Sequence, residues 1–471
     1  MEATTRQFTG NARQALKNDN LRAALDKLSH GFPYKRLEAA ARLPEFEALR
    51  DQSRDIKAHV LENLDFYLQQ FESKVIEQGG QVHWAKDAAE ARDIILAICQ
   101  EAGAETVTKS KSMIGEEIAI NGHLEANGVR PVETDLGEYI IQLRKEPPSH
   151  LIAPAIHLSM DQVADTFKDK HREFAADRPL DQPRELLEEA RTMLRREFLA
   201  ADVGLTGANL LIAETGSIAL VTNEGNADLT LTLPNTHIAI ASIEKAVPTL
   251  EDATTILRVL ARSATGQELS VYTTFVSGPK RPDDMDGPEN FHVVLLDNGR
   301  TQMLGSEFHD MLRCIRCGAC LNSCPVYGAI GGHAYGWVYS GPMGSVLMPG
   351  ILGLEQTGDL PNASTLCGTC ESVCPMRIPL PAMLRRWREQ QHARRLTSTK
   401  SRMMLKLWAM LARRPGLYRA VMGLGVGFMR ALAGGRGSLK SLPFAGGWTA
   451  VRDLPAPEGK TFTALWKERR K

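Results

Sequence analysis

Apolar residues recur at helix and strand periods along most of the chain, and the two periods alternate between residues 80 and 300. The patterns QVHWA, ETVTKS and RPVETD are typical of strands, whereas DAAEARDIILAICQEAG and GEEIAINGHLEANG have the helical period. The segment HLIAPAI predicts another apolar strand, followed by the helix SMDQVADTFKD. Such alternation predicts an α/β domain with a largely parallel sheet.

The second half of this domain begins with a long helical pattern, RELLEEARTMLRREFLAAD. Four predicted strands follow, ANLLIAE, SIALVT, LTLTLP and HIAIASI, with Gly, Asn and Pro between them. The helix TLEDATTILRVLARSATG and the strands LSVYTTFV and FHVVLLD close the domain. A chain of 471 residues is long enough for two or three domains. We predict a helical N-terminal region (1–75), an α/β domain (76–300), an iron–sulfur domain (301–395) and a basic, mostly helical C-terminal region (396–471).

Charge is distributed unevenly along the chain, although the net charge is zero. Residues 376–471 contain 21 of the 56 Lys and Arg residues but only 4 of the 56 Asp and Glu residues. The N-terminal sequence lacks the apolar core of a signal peptide, and the apolar run 420–429 has about half of the ~20 residues that a spanning helix needs. These features predict a cytoplasmic protein with an acidic body and a basic tail.

Seven of the eight cysteines lie in two linked motifs. The first is Cys314-x-x-Cys317-x-x-Cys320-x-x-x-Cys324-Pro, and the second is Cys367-x-x-Cys370-x-x-x-Cys374-Pro. The first spacing is typical of two-cluster ferredoxins, in which the fourth cysteine binds the other cluster. The motifs therefore predict two iron–sulfur clusters. A zinc ribbon is the alternative, but seven cysteines do not divide into zinc tetrads.

The exchange of the last cysteine predicts the ligands of each cluster. Cluster 1 would be a [4Fe–4S] cluster, and its four predicted ligands are Cys314, Cys317, Cys320 and Cys374. Cluster 2 would have three cysteine ligands, Cys324, Cys367 and Cys370. Ser364 occupies the position of the missing cysteine. Cluster 2 is then either a [3Fe–4S] cluster or a [4Fe–4S] cluster with an open or non-thiolate corner. We favour the second. Ser364 is the candidate fourth ligand, unless it only begins a turn.

Polar residues beside glycines mark a candidate ligand pocket in the α/β domain. The runs Glu214–Ser217 and Asn223–Asn226 flank one predicted strand and would face one pocket. Further candidates are Asp135, His157, Glu244 and Lys245, and each is as compatible with a turn or cap. We find no dinucleotide fingerprint, P-loop or serine-hydrolase elbow. Cys99 lies on the apolar face of a predicted helix and is expected to be buried.

Several of these runs resemble the lactate-utilization (LUD) domain, most clearly TDLGEYIIQL with PSHLIAPAIH, and AETGSIALVTNEGN with IEKAVPT. With the cysteine motifs and the ending LPFAGGWTAVRDLPAP, the whole chain resembles the lactate utilization protein B family. One departure is NEGNADL, where relatives often have a Gly-Arg pair after NEGN. This departure argues against an anion-binding role for that loop.

The resemblance implies a fold for the LUD domain like that of the sugar-phosphate isomerase and CoA-transferase superfamily. The long insert between the cysteine motifs resembles the α-helical ferredoxin module of succinate dehydrogenase and heterodisulfide reductase subunits. The implied role is electron transfer during oxidation of L-lactate to pyruvate, which allows growth on lactate. The implied partners are a cysteine-rich heterodisulfide-reductase-type protein and a smaller LUD-domain protein. A second motif with three cysteines is usual in this family.

Three functions compete at this point. In the first, the chain is an electron-transfer subunit of an oxidoreductase complex. In the second, it is itself the lactate dehydrogenase, although two-electron oxidation requires a cofactor that accepts hydride, and no flavin site is evident. In the third, it is a regulator that binds DNA, but no DNA-reading motif is present. We favour the first. The basic tail predicts contact with anionic lipid at the inner membrane face, with an acidic partner or with the acidic body, unless it is an ordinary solvated surface.

Overall fold

The computed structural model describes residues 3–442, 449 and 452–470, which form two compact units, Met1–Gln390 and Gln391–Lys471. The first unit begins with five amphipathic helices whose apolar faces are buried. They are α1 Phe8–Ala15, α2 Asp19–Ser29, α3 Phe32–Ala41, α4 Phe46–Glu62 and α5 Leu64–Glu77.

A six-stranded parallel sheet forms the centre of the α/β region, with the order β1-β10-β7-β4-β2-β3. Its strands are β1 Gln81–Ala85, β2 Thr106–Lys109, β3 Arg130–Glu133, β4 Val203–Gly207, β7 Thr236–Ser242 and β10 Asn290–Leu296. Parallel sheets need cover on both faces, which explains why β7 is buried at every residue. The predicted mixed α/β fold with a parallel sheet is confirmed.

A smaller mixed sheet lies in the same region, with the order β8-β5-β6-β9. Its strands are β5 Leu210–Ile212, β6 Ser217–Thr222, β8 Ala246–Val247 and β9 Tyr272–Val276. The helices of the α/β region are α6 Ala88–Glu101, α7 Met113–Glu117, α8 Ile120–Ala126, α9 Leu136–Arg144, α10 Met160–Lys170, α11 Pro183–Ala200, α12 Asn226–Thr232 and α13 Leu250–Ala264. The single helix predicted over 115–128 is two helices, because Ala119 between them is left-handed (φ 54°).

Two predicted strands are wrong. LTLTLP contributes to α12, whose residue Thr230 lies directly over Gly204 of β4. HLIAPAI forms turns and bends, and its apolar side chains face the cysteine-rich region instead of a sheet. Leu151 is buried in the core of that region, and Tyr327 Oη donates a hydrogen bond of 3.0 Å to Ser149 O. The strand β4, in contrast, has no counterpart among the predictions.

The cysteine-rich region, 301–395, contains short helices and turns and no strand, and the structure describes all of it. The helices are α14 Ala319–Asn322, α15 Tyr327–Ile330, α16 Gly341–Leu352, α17 Thr369–Ser372 and α18 Leu380–Ala393. α16 is apolar on all sides and almost fully buried, as expected for a helix at the centre of a core.

The second unit contains α19 Thr399–Ala412, α20 Pro415–Ala433 and α21 Phe462–Arg469, with the two-residue strands β11 Ser438–Leu439 and β12 Leu454–Pro455. Many large apolar side chains of α19 and α20 are exposed, among them Met403, Met404, Leu407, Trp408, Leu424 and Phe428. Within the described ranges, no helix combines the length and apolarity needed to cross a membrane. Half of the run LPFAGGWTAVRDLPAP, residues 443–448, 450 and 451, lies outside the described residues.

The contact between β4 and α12 yields a test of packing. A Cβ atom at Gly204 would lie 1.8 Å from Thr230 O. We expect Gly204→Ala to lower the free energy of unfolding by about 3 kcal/mol or more, because backbone must move. Gly122→Ala is the matched control, since no atom lies within 4 Å of the added Cβ and alanine favours a helix. Denaturant unfolding of both variants measures the difference, and equal stabilities would contradict the packing.

Candidate functional site

The two cysteine motifs have the same backbone conformation. Cys317 lies between two left-handed residues, Arg316 (φ 60°) and Gly318 (φ 75°), and α14 follows. Cys367 lies between Leu366 (φ 56°) and Gly368 (φ 85°), and α17 follows. A non-glycine residue with positive φ is strained and persists where its surroundings hold it. The repeated conformation therefore indicates two equivalent cysteine loops, 50 residues apart.

Four cysteines from both motifs line one small cavity. They are Cys314, Cys317, Cys320 and Cys374. Burial, together with the nearby Cys374 and Cys314, raises the pKa of Cys317 to about 12. Burial and the same neighbours raise the pKa of Cys320 well above its ordinary value. The structure therefore brings together the four residues predicted for cluster 1.

The other three cysteines form a second set. Burial, with Cys324 and Cys367 nearby, raises the pKa of Cys370 to about 12. Cys367 differs from the rest because it is exposed, and hydrogen bonding with Thr369 lowers its pKa. The charge of Cys370 also acts on Cys320, so the two sets adjoin.

Ser364 closes a turn at the edge of the second set. Its Oγ accepts a hydrogen bond from Leu366 N (3.1 Å), and its carbonyl accepts one from Arg388 Nη2 (2.8 Å). Ser364 occupies the position that Cys314 has in the first loop, three residues before the central cysteine. The turn is the role that the structure gives to Ser364, and a ligand role stays a prediction.

The donor sets fit iron–sulfur clusters. A buried thiol with a raised pKa does not ionise at neutral pH unless a cation stabilises the thiolate. Several buried thiols around one cavity therefore favour a group that contains positively charged iron. Among the residues with described positions, no group of three or more His, Cys, Asp or Glu side chains is arranged to hold a single metal ion.

Two buried arginines from the N-terminal helices hold the loop of the last cysteine. Arg50 Nη2 donates hydrogen bonds of 2.7 Å to the carbonyl oxygens of Ser372 and Cys374. Arg36 Nη2 donates one of 3.0 Å to Val373 O. Through these contacts, helices α3 and α4 support the loop that carries Cys374.

A cavity of about 290 Å³ lies in the α/β region. It is bounded by the loops that follow β2, β4 and β7, the edge where α/β sheets bind ligands. Its polar lining includes Ser110, Lys111, Ser112, Asp135, Asn209, Asn223, Glu224, Asn226, Lys245 and Gln267. Arg316, Cys317 and Tyr339 of the cysteine-rich region complete the wall. The cavity therefore adjoins the first cysteine set.

The structure brings together only part of the candidate pocket predicted from the sequence. The cavity is lined by Asp135, by Lys245 and by three of the four residues of the run Asn223–Asn226. The run Glu214–Ser217 does not, because it lies at the other end of β6, roughly 20 Å away by strand geometry. His157 is also elsewhere, with its Nε2 hydrogen-bonded to Glu146 Oε2 at 2.9 Å.

Two of these residues have unusual electrostatics. Burial lowers the pKa of Lys245 to about 8, and the nearby Arg316 acts in the same direction. Burial alone would raise the pKa of Glu244, but Arg300 and Arg316 lower it to about 2. Glu244 is thus a permanent anion beneath the cavity, not a titrating group within it.

A buried chain of ion pairs connects the α/β region to the cysteine-rich region. Glu117 accepts hydrogen bonds from Arg300 Nη1 (2.9 Å) and Nη2 (2.7 Å). Arg300 Nε lies 2.9 Å from Glu244 Oε2, and Arg316 Nη2 lies 3.2 Å from Glu244 Oε1. Tyr339 Oη donates to Glu117, and its ring lies 4.9 Å below the Arg316 guanidinium. Four of the five side chains are buried, and Arg316 is 9% exposed.

Sequence reasoning missed Arg316, Lys111 and Arg300. Arg316 is hidden inside a C-x-x-C motif, where only the cysteines have a recognised role. Lys111 directly follows the residues of a predicted strand, and that position was the available signal. Cys99 is fully buried, as expected, and burial raises its pKa to about 12.

Three family models match the chain. They are the LUD domain over residues 68–296, the 4Fe-4S dicluster domain over 310–378 and the C-terminal domain of lactate utilisation protein B over 377–471. A "Lactate utilization protein B" of Bacillus licheniformis is 40% identical over 100% of this chain and 98% of its own length. Another, of Lysinibacillus sphaericus, is 41% identical with the same coverage. A crystal structure of a DUF162 family protein from Deinococcus radiodurans covers 50% of this chain and 98% of its own, with 18% identity and a TM-score of 0.26.

The buried ion pairs predict a large loss of stability on substitution of Arg300. Arg300→Met leaves Glu117 and Glu244 without their shared partner in the core. We expect the free energy of unfolding to fall by about 3–5 kcal/mol. Arg184→Met is the control, because Arg184 makes an exposed ion pair with Glu188 and should show no measurable loss. Similar denaturant midpoints for the two variants would disprove the role of Arg300.

Ser364 allows a test of the second cysteine set. If Ser364 only closes the turn, Ser364→Ala retains the iron and sulfide content of the reconstituted protein and its electron paramagnetic resonance spectrum. Ser364→Cys places a thiol at the position equivalent to Cys314 and should change the spectrum of cluster 2 alone. Loss of iron in Ser364→Ala would instead identify the hydroxyl as a ligand. A signal from an oxidised three-iron cluster in anaerobic wild-type protein would contradict the cubane.

Proposed function

Because the chain belongs to the lactate utilization protein B family, we propose that it is the electron-transfer subunit of a complex that oxidises L-lactate to pyruvate. The 4Fe-4S dicluster domain and the two cysteine sets support this role. When bound, an iron–sulfur cluster accepts and donates single electrons. The function of the complex would be the use of lactate as a carbon and energy source.

The proposed ligands follow from the two cysteine sets. Cys314, Cys317, Cys320 and Cys374 would hold a [4Fe–4S] cluster, since they line one cavity. Cys324, Cys367 and Cys370 would hold a second [4Fe–4S] cluster with one corner free of thiolate. Arg36 and Arg50 would fix the loop of Cys374, so that a ligand from the second motif reaches the first set.

A difference in exposure between the two sets is the observation on which the proposal rests. The first set borders the α/β cavity, through Cys317, and no member of it is exposed. The second set includes the exposed Cys367, next to the exposed Leu366. The two sets adjoin. Electrons would therefore pass from the cavity to the first set, then to the second set, and from there to a partner at the surface.

The partners we propose are a cysteine-rich heterodisulfide-reductase-type protein and a smaller LUD-domain protein. The exposed second set suits the first of these, because electron transfer requires close approach. The basic C-terminal region would add a peripheral contact at the cytoplasmic side. Its exposed Met, Leu, Trp and Phe side chains on α19 and α20 suit an anionic lipid surface or an acidic partner.

Finer features of the fold also belong to this proposal. The parallel six-stranded sheet supports a relation of the α/β domain to sugar-phosphate isomerases and CoA transferases. The helical character of residues 301–395 supports an α-helical ferredoxin module over the small βαβ ferredoxin.

The relay predicts activity only in the presence of partners. We expect the reconstituted chain alone not to reduce a high-potential dye such as dichlorophenolindophenol with L-lactate, and addition of the two partner proteins to start reduction. Cys367→Ser should abolish this partner-dependent reduction, because it removes the exposed ligand of the second set. Cys99→Ala, at a buried cysteine outside both sets, is the control and should retain it. Lactate-dependent reduction by the chain alone would overturn the relay and favour a catalytic subunit.

A further inference from the structure

The α/β cavity has two electrically different ends. At one end Glu224 lies near Asp135, and Lys111 is the cation that acts on Glu224. Lys111 Nζ is already committed to Ile152 O at 2.7 Å. At the other end, Lys245 and Arg316 lie close enough to influence each other. The cavity is therefore acidic at one end and basic at the other.

Arg316 has a hydrogen-bond donor that the protein leaves unused. Its Nη2 pairs with Glu244, but Nη1 is buried and has no hydrogen-bond partner among the described residues. The Arg316 side chain is only 9% exposed, so bulk water does not compensate for the missing partner. A buried donor on a cavity wall indicates a ligand with an acceptor atom.

Lys245 adds a second unused cation at the same end. Its ammonium group makes no hydrogen bond or ion pair with any residue whose position the structure describes. Within the part of the chain that the structure describes, Glu117 and Glu244 match the charges of Arg300 and Arg316, whereas Lys245 has only the charge of Glu244 and the Cys314 thiol nearby and no ion pair of its own. Lys57 lies nearby as well, with its ammonium donating to the carbonyl oxygens of Glu244 and Ala246. Buried charge of one sign requires a counter-ion.

We propose that the basic end of this cavity binds the carboxylate of a small organic monoacid, held by Arg316 Nη1 and Lys245 Nζ beside the loop of Cys314 and Cys317. A guanidinium and an ammonium group both form strong, charge-assisted hydrogen bonds with carboxylates. The acidic end, with Asp135 and Glu224, repels a second carboxylate and so favours monoacids over diacids. The volume of about 290 Å³ accommodates a small acid with water molecules.

The choice of acid rests on the proposed function, which points to L-lactate and pyruvate as the probes. A competing account is that Lys245 and Arg316 only neutralise the thiolates of the first cysteine set. That account gives no reason for either side chain to line the α/β cavity. The two accounts predict different outcomes of a binding experiment.

The test is calorimetric titration of the anaerobically reconstituted full-length protein with L-lactate, pyruvate, L-malate and inorganic phosphate. We expect saturable binding of L-lactate or pyruvate and weaker binding of L-malate. Lys245→Met should weaken binding roughly 10- to 100-fold, the usual effect of losing a hydrogen bond to a charged group. Lys245→Arg should retain most of the affinity because it keeps the cation. Lys74→Met, at an exposed lysine outside the cavity, should bind like the wild type.

Iron content and the paramagnetic resonance spectrum of the reduced protein, measured for each variant, show whether the first cluster is intact. Absence of binding by the intact wild type would overturn the proposal and favour charge neutralisation. Tighter binding of phosphate than of either acid would overturn the carboxylate assignment. Since this titration requires neither partner proteins nor turnover, its failure is distinct from failure of the electron relay. A relay that works in a chain unable to bind either acid would place the acid on a partner.

Discussion

The buried ion pairs of Glu117, Arg300, Glu244 and Arg316 fix the relation between the α/β region and the cysteine-rich region. Each charge in this chain has a partner of opposite sign, and removal of one leaves another isolated in a medium that solvates charge poorly. Their strict geometry also orients Arg316, which connects the two regions. Arg300 pairs with Glu244 from one side, and Glu244 in turn pairs with Arg316 on the wall of the cavity.

The α/β cavity and the first cysteine set share one wall, whereas the second set lies away from the cavity. Residues from the loops after β2, β4 and β7 form one side, and the loop between Cys314 and Cys317 forms the other. The segment 149–156 seals the junction with apolar side chains and with the hydrogen bond between His150 Nε2 and Asn322 Oδ1 at 2.9 Å. The second cysteine set lies where Cys367 contacts solvent. A group bound in the cavity and a protein at the surface would therefore meet different cysteine sets.

Sequence periodicity predicted the parallel sheet because buried strands and amphipathic helices have distinct patterns. It failed for LTLTLP because alternating Leu and Thr have the period of a strand. In the structure these residues contribute to α12, and Gly204 of β4 lets this helix approach closely at Thr230. It failed for HLIAPAI because this segment is covered by the cysteine-rich region. Such a covered segment is as apolar as a buried strand, so the pattern does not distinguish the two. Cysteine spacing predicted which thiols would gather, since it records a local loop geometry. The part of the site formed by Arg316 and Arg300 depends on contacts between distant segments, for which a single sequence has no periodic signal.

The left-handed backbone of Arg316 has an evolutionary consequence. This residue shapes the ligand loop through its φ angle of 60° and shapes the cavity through its guanidinium. In the second loop the same position is Leu366, whose side chain is exposed and has no such cavity to serve. Substitution at 366 is therefore constrained by backbone conformation alone, whereas substitution at 316 must satisfy two requirements at once. Ligand preference and the environment of the first cysteine set would consequently change together in related proteins, and the second set would be free to diversify with its partners.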